Sequence, residues 1–293
     1  MKLLENQIAL VAGATRGAGR AIAIELASAG AFVYVTGRST RGSASRMARP
    51  ETIEETAEMI ARGGGRASAQ RVDHTVPAEV ESLLRRINAE QGGRLDILVN
   101  DVWGGDPLAQ WGVPFWEHNL EDGLALLSNA VNSHIITSWF AAPLMKAKRL
   151  GLIIEVTDGI ADRYRGSLFY DLAKASAIRL ALAQAEELRP YQVAALALSP
   201  GYLRSEAMLD HFGVSESSWR EAIAKDPNFA ASETPFFIGR AVVALAADPA
   251  IMDKSGKALA TWNLAREYGF TDVDGTQPDW GSHARQHLGL EMG

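Results

Sequence analysis

Tyr170 and Lys174 stand four residues apart in the run Phe169-Tyr170-Asp171-Leu172-Ala173-Lys174. On a helix that spacing puts both side chains on one face, where an ammonium stabilises an ionised phenol. A tyrosine tuned in this way can give or take a proton as general acid or base. The spacing alone is commonplace, so its meaning rests on what else the chain delivers nearby. Thr157-Asp158 ends the apolar run Gly151 to Val156, and Thr157 lies thirteen residues ahead of Tyr170. Thr157 can donate a hydrogen bond to a developing oxyanion, whereas an Asp158 carboxylate cannot and opposes ionisation of Tyr170. An Asp158 that points inward is expected to be protonated or to select a substrate with a basic nitrogen. Asn129 and Asn132 interrupt a stretch from Leu120 to Lys148 that is otherwise patterned for helix. Asparagine competes for backbone hydrogen bonds in a helix interior, so Asn132 calls for a reason beyond packing.

A second chemistry is written at the start of the chain. Ile8 to Ala12 is an apolar run of the kind that becomes a buried strand, and it leads into Gly13-Ala14-Thr15-Arg16-Gly17-Ala18-Gly19. A helical pattern from Arg20 to Ala29 follows, with Gly30 at the position of a left-handed cap. Glycines at such a turn let the backbone approach a pyrophosphate at the helix N-terminus. The next strand, Phe32 to Val35, ends in Thr36-Gly37-Arg38-Ser39-Thr40-Arg41. An acid there would bind a ribose 2′-hydroxyl; Arg38, with Arg16 from the glycine loop, suits a 2′-phosphate. NADP(H) is therefore expected in preference to NAD(H). The plainer reading makes Arg38, Arg41, Arg46 and Arg49 a solvated basic loop. A third strand, Ala67 to Val72, delivers Asp73, either to an adenine or to the cap of the next helix.

The elements that must position these groups alternate at roughly 30-residue spacing, which implies a parallel sheet with helical crossovers. Helices are expected at Glu51 to Arg62 and Ala78 to Glu90, and further strands at Leu95 to Asn100 and Val193 to Leu198. Residues 101 to 119 break the rhythm with Trp103, Trp111, Phe115 and Trp116 among glycines and prolines. Just past a strand end they could line a substrate pocket or pin a long loop. Apolar residues within 202 to 222, among them Tyr202, Met208, Phe212 and Trp219, suit a lid or an ordinary surface helix. The helix bearing Tyr170 is apolar on nearly every side, which suggests a partner on its far face.

Composition removes several classes. With 293 residues, 47% hydrophobic content and a mean hydropathy of −0.05, the chain suits one α/β domain over its whole length. No apolar run approaches a membrane span, and Met1 to Glu5 does not read as a signal peptide. Zero cysteines exclude disulfides and cysteine metal sites and are compatible with the cytoplasm. No metal is called for. A net charge of −6 and a pI near 5.6 argue against a nucleic-acid surface.

Taken together, Gly13-xxx-Gly17-x-Gly19 after a strand, an asparagine on the fourth helix, polar residues ending the fifth strand, Tyr170-xxx-Lys174, and Ser199-Pro200-Gly201 after the sixth resemble the short-chain dehydrogenase/reductases. The resemblance spans about residues 5 to 265. It implies a single doubly wound Rossmann domain with a parallel sheet of about seven strands, and hydride exchange between NADP(H) and a small carbonyl or alcohol substrate. In that resemblance Tyr170 is the proton donor, Lys174 holds the nicotinamide ribose and lowers the tyrosine pKa, and Asn132 holds a water of the proton relay. Gly13, Thr15, Arg16, Gly17, Ala18, Gly19, Arg38, Ser39, Asp73, His74, Asn100, Val102, Pro200, Gly201, Leu203 and Ser205 fall at cofactor positions. The family also implies a homodimer or homotetramer paired through the helices of Asn132 and Tyr170. The chain departs from it in two places: Thr157-Asp158 replaces the usual pair of serines, and Asn100-Asp101-Val102-Trp103-Gly104 replaces the usual Asn-Asn-Ala-Gly turn. By the spacing to Tyr170 in that resemblance, Thr157 is the expected donor to the substrate oxygen in the serine's place, and the altered pair also leaves room for a non-catalytic NADP(H)-binding sensor or scaffold. The tail from 263 to 293 carries no functional reading.

Overall fold

The computed structural model describes residues 2–43, 45 and 47–291, so Arg46 of the basic loop lies outside the described residues. Seven parallel strands lie in the order β3-β2-β1-β4-β5-β6-β7. They are β1 (Ile8–Ala12), β2 (Phe32–Gly37), β3 (Arg66–Arg71), β4 (Ile97–Asn100), β5 (Gly151–Val156), β6 (Val193–Ser199) and β7 (Ala258–Ala260). The helices are α1 (Gly17–Ser28), α2 (Ile53–Arg62), α3 (Pro77–Glu90), α4 (Leu120–Leu127), α5 (Ser133–Lys148), α6 (Leu168–Leu188), α7 (Glu206–Phe212), α8 (Pro235–Ala247), α9 (Thr261–Tyr268) and α10 (Trp280–His283). None is long and apolar enough to cross a membrane.

Strand side chains alternate between two cores, as a period of two requires. Ala9 and Val11 of β1 join Leu196 and Leu198 of β6 under α1 and α8, with Ile22, Leu26, Ile238 and Val242 supplied by those helices. Ile8, Leu10, Val193 and Ala195 face the opposite way, onto Leu83, Ile87, Ala141, Met145 and Ala185 of α3, α5 and α6. Central strands buried on both faces explain why they read as unbroken apolar runs rather than alternating ones. This is a single Rossmann-like α/β domain. Chain order reverses between β1 and β4, and ligands in open α/β sheets bind at such a reversal, beyond the carboxyl ends of the strands.

Two elements differ from the sequence expectation. The helix expected over 120–148 is split: a π-helical turn, Ser128–Asn132, separates α4 from α5, and Ser133 Oγ donates to the Asn129 carbonyl there. A widened turn at one point of a helix re-aims the side chains around it. The tail does not trail away; α10 packs back on the body, with Trp280, Trp262 and Ala284 in one small cluster.

Candidate active site

The carboxyl ends of β1 to β6 open on one cavity of about 1020 Å³. That lies at the upper end of the ~300–1,000 Å³ range of small-molecule sites. Its first wall is backbone. Gly13 has φ +94°, and a Cβ there would stand 2.4 Å from the Asp101 carbonyl oxygen, so no other residue fits the close approach of the β1 and β4 turns. Gly19 lies against the Gly13 carbonyl and the Asp101 carboxylate, and its amide donates to that carboxylate. It braces the loop and does not border the cavity. Burial pushes the Asp101 carboxyl up to about 7, opposed by the charges of Lys174 and His134 and by the Gly19 amide.

Gly17 opens α1 with its amide toward the cavity, and that amide donates to Glu206 Oε2 at 2.8 Å. A side-chain carboxylate from α7 thus sits on the anion-binding end of α1, a contact that sequence reasoning missed. Ser205, expected beside the cofactor, borders the cavity but spends its hydroxyl on the cap of α7, accepting from the Met208 amide at 3.4 Å. Thr15, Arg16, Ala18, Ser39, Val102, Pro200, Gly201 and Leu203 also border it. Asn100 does not: its amide donates to Ser138 Oγ and Glu155 Oε1, both at 2.9 Å, within the core. His74 borders the cavity, yet its ring is buried between Thr36 and Thr137 hydroxyls at 2.8 Å each. Burial brings that imidazole down to about 3, so it is a neutral core residue.

The two arginines expected to share one phosphate have separate partners. Arg16 Nε bonds Glu51 at 3.1 Å and its Nη2 bonds Ser45 at 3.0 Å. Arg38 lies 3.5 Å from Asp73 Oδ2 and beside Gly104. Asp73 borders the cavity, where Oδ2 faces Arg38, and its Oδ1 accepts from the Thr75 amide and hydroxyl; it does not cap the next helix, α3, whose N-cap is Val76. Burial opposes ionisation of Asp73, but the Thr75 bonds and Arg38 hold its carboxyl below the usual range.

At the far end, one face of α6 brings Tyr170 and Lys174 to the cavity. The choice between Thr157 and Asp158 falls against expectation. Both border the cavity, but the buried Thr157 Oγ1 donates to the Lys174 carbonyl at 2.8 Å, whereas Asp158 Oδ2 accepts the Tyr170 hydroxyl at 2.7 Å. Burial first, then the Asp158 charge and bond, push the Tyr170 phenol well above its ordinary value. This corrects the expectation that Lys174 lowers it. The Lys174 ammonium sits 4.1 Å over the Trp103 ring and 5.6 Å from the Tyr170 ring centre, and burial lowers its own pKa against the pull of Asp158, Asp101 and Asp106. Asn132 is exposed and away from the cavity; Asn129, three residues earlier in the same π-helical turn, borders it.

The aromatic residues divide. Trp103, Tyr202 and Met208 border the cavity, and Trp111 packs on Tyr170 with ring centres 4.9 Å apart. Phe115 and Trp116 do not take part: they meet edge to face on a surface turn and are 55% and 72% exposed. Tyr202 and Met208 also pack on a satellite core of Phe212, Trp219 and Phe229, so the segment after Gly201 is anchored by its own apolar cluster. Trp280 of α10 borders the cavity and abuts Gly201, where a Cβ would come within 2.7 Å of it. The tail therefore helps wall the site, and the aromatic beside Asp279, its helix cap, was the available signal.

The residues fit a dinucleotide. Glycine-enforced close approach at Gly13, an anion-seeking amide at Gly17, paired Asp73 and Arg38 at the strand ends, and a tyrosine and lysine at the far end are the donor set such a molecule requires. The fold and this cavity define a nicotinamide-dependent oxidoreductase. Comparison with known proteins carries that further: a profile described as short chain dehydrogenase matches residues 7–212, and the chain belongs to that family. It is 35% identical over 276 residues to Dehydrogenase/reductase SDR family member 1 of Mus musculus, covering 93% of this chain and 85% of that protein. The Homo sapiens protein of the same name is 34% identical over 281 residues, again covering 93% of this chain and 85% of its own length. Among solved structures, a putative NAD(P) dependent gluconate 5-dehydrogenase from Beutenbergia cavernae, with bound NADP at low occupancy, is similar with a TM-score of 0.70. It is 26% identical, and the match covers 88% of this chain and 96% of that one. The protein is an NAD(P)-dependent oxidoreductase.

Proposed function

We propose that the protein interconverts a carbonyl compound and its alcohol with NADP(H), and that Tyr170 handles the proton. The observation that carries this reading is the convergence of Tyr170 and Lys174 with the glycine loop and the Pro200-Gly201 turn on one cavity. The nicotinamide, when bound, supplies or receives the hydride. In the reducing direction the substrate carbon gains that hydride and the oxygen takes the Tyr170 proton, so C=O becomes CH–OH and solvent reprotonates the tyrosine. The raised phenol pKa keeps Tyr170 in the donor form. Lys174, which makes no ion pair among the described residues, would hold the nicotinamide ribose, and Asn129 in place of Asn132 would hold the relay water.

Preference for NADP(H) is supported by Gly37-Arg38 where an acid would serve NAD(H), with Ser39, Ser43 and Ser45 hydroxyls along the same edge. Gly13, Gly17, Ala18 and Asp73 would take the rest of the nucleotide, and Trp103, Trp111, Tyr202 and Met208 the substrate. Residues 202–222 would cover the site. A homodimer or homotetramer is supported by Leu120, Leu124, Ile135, Trp139 and Leu172, all large, apolar and exposed on α4, α5 and α6. The absence of cysteine suits a cytoplasmic protein.

The test is turnover of a ketone and aldehyde panel with NADPH. Tyr170→Phe should lower kcat by roughly 10²–10⁴-fold with cofactor affinity within about twofold. A bound cofactor with no Tyr170-dependent turnover of any member overturns the reading.

A further inference from the structure

We propose that the substrate carries a protonated nitrogen beside its carbonyl and that Asp158 selects it. This rests on the carbonyl-reducing reading of the cavity. Asp158 turns its carboxyl into the cavity at the end of β5, and its one side-chain hydrogen bond among the described residues is the 2.7 Å bond from Tyr170. Among the described residues it makes no ion pair within 4.0 Å, and Lys174 acts on it only through a longer-range attraction. Arg165, the adjacent guanidinium, spends Nε on the Asp158 carbonyl oxygen at 2.6 Å and Nη1 on Asp171 at 2.9 Å. Lys174 faces the Trp103 ring, and the Thr157 hydroxyl is committed to the Lys174 carbonyl.

The corner where a carbonyl oxygen needs a donor therefore offers an acceptor. A neutral ketone would set its lone pairs against the carboxylate, and the single Tyr170 O–H would have to leave a charge-assisted bond to reach it. An ammonium beside the carbonyl removes both obstacles. It replaces the phenol as the donor to Asp158 and frees the Tyr170 proton for the carbonyl oxygen. The surroundings favour a cation as well. Trp111 is tilted on Tyr170 with ring centres 4.9 Å apart, so an aromatic ring flanks the phenol, while the face of Trp103 is taken by Lys174. Asp106, bonded to the Trp103 indole N–H, adds a further negative charge.

The test compares α-aminoacetophenone with propiophenone, which carries a methyl in place of the ammonium, at a pH that keeps the amine protonated. Wild type should favour the cation in kcat/KM by about tenfold or more, one close ion pair's discrimination. Asp158→Ser, which restores a hydroxyl, should abolish or reverse that preference. Calorimetry of the NADP-saturated protein should show phenylethanolamine binding weakened about tenfold in Asp158→Ser, with phenylpropanol within about twofold. Equal use of the two ketones by wild type, a cation preference that survives in Asp158→Ser, or best reduction of propiophenone with a rate that falls as pH rises would each overturn the proposal, the last because Asp158 would then act as a protonated donor. Asp158-dependent binding of phenylethanolamine without turnover of either ketone would leave the charge selection standing and defeat the carbonyl-reducing reading instead.

Discussion

The β1 end and the β5 end of the cavity are built by opposite means. At β1 the backbone sets the shape: Gly13 at φ +94° lets two turns meet, and the Gly17 amide offers a donor whatever the neighbouring side chains do. At β5 the outcome depends on which of two adjacent cavity-lining side chains meets Tyr170, and Asp158 does so while the Thr157 hydroxyl is spent on the Lys174 carbonyl. The difference teaches that a site read through backbone constraints tolerates little substitution but is legible, whereas one read through side-chain direction can change its chemistry with a single residue. The two ends also differ in charge balance. Arg16, Arg38 and Arg49 are paired with Glu51 and Asp73 near β1, while the Asp158 carboxyl near β5 has, among the described residues, a phenol as its one side-chain hydrogen-bond partner.

The sharpest way to break the backbone end is Gly13→Ala. Its Cβ would overlap the Asp101 carbonyl, in a conformation that L side chains rarely adopt. Nucleotide binding should fall more than about 100-fold, and stability should drop by about 1–3 kcal/mol, measured by titration and denaturant unfolding. Near-normal binding would show that the two turns are not held together as described. A smaller effect is expected at the end of β2. Arg38→Ala should weaken NADPH about 10- to 100-fold and NADH less than about threefold, the loss expected for a guanidinium bound to phosphate. Equal loss for both nucleotides would remove the 2′-phosphate role. Smallest, and opposite in sign, is Glu206→Gln. The Glu206 carboxylate occupies the α1 amide that a pyrophosphate would use, so removing its charge should tighten NADPH about three- to tenfold by direct titration. Unchanged or weaker binding would mean that Glu206 does not compete for that amide.

These residues also mark what could be read from sequence. The strand ends, the glycine loop and the Tyr170-Lys174 face were legible because glycine, apolar runs and helical spacing each restrict the backbone directly. Asn129 and Asn132 were not separable, since they lie one turn apart on a regular helix and only the π-turn between α4 and α5 decides which one faces the cavity. Thr157 and Asp158 were ambiguous because a strand assigns faces by alternation only while it remains a strand, and β5 ends at Val156. Phe115 and Trp116 were pocket candidates because they are aromatic and follow a strand end, and neither feature distinguishes a surface turn from a wall. Glu206 and Trp280 reach the cavity through tertiary packing, for which no local pattern exists.

A crystal structure with NADPH bound tests most directly whether the two ends form one site. The account predicts the pyrophosphate on the Gly17 amide with Glu206 displaced, the 2′-phosphate beside Arg38, and the nicotinamide C4 facing Tyr170 and Asp158. A nucleotide that leaves Glu206 on Gly17, or that points its nicotinamide away from Tyr170, would contradict it.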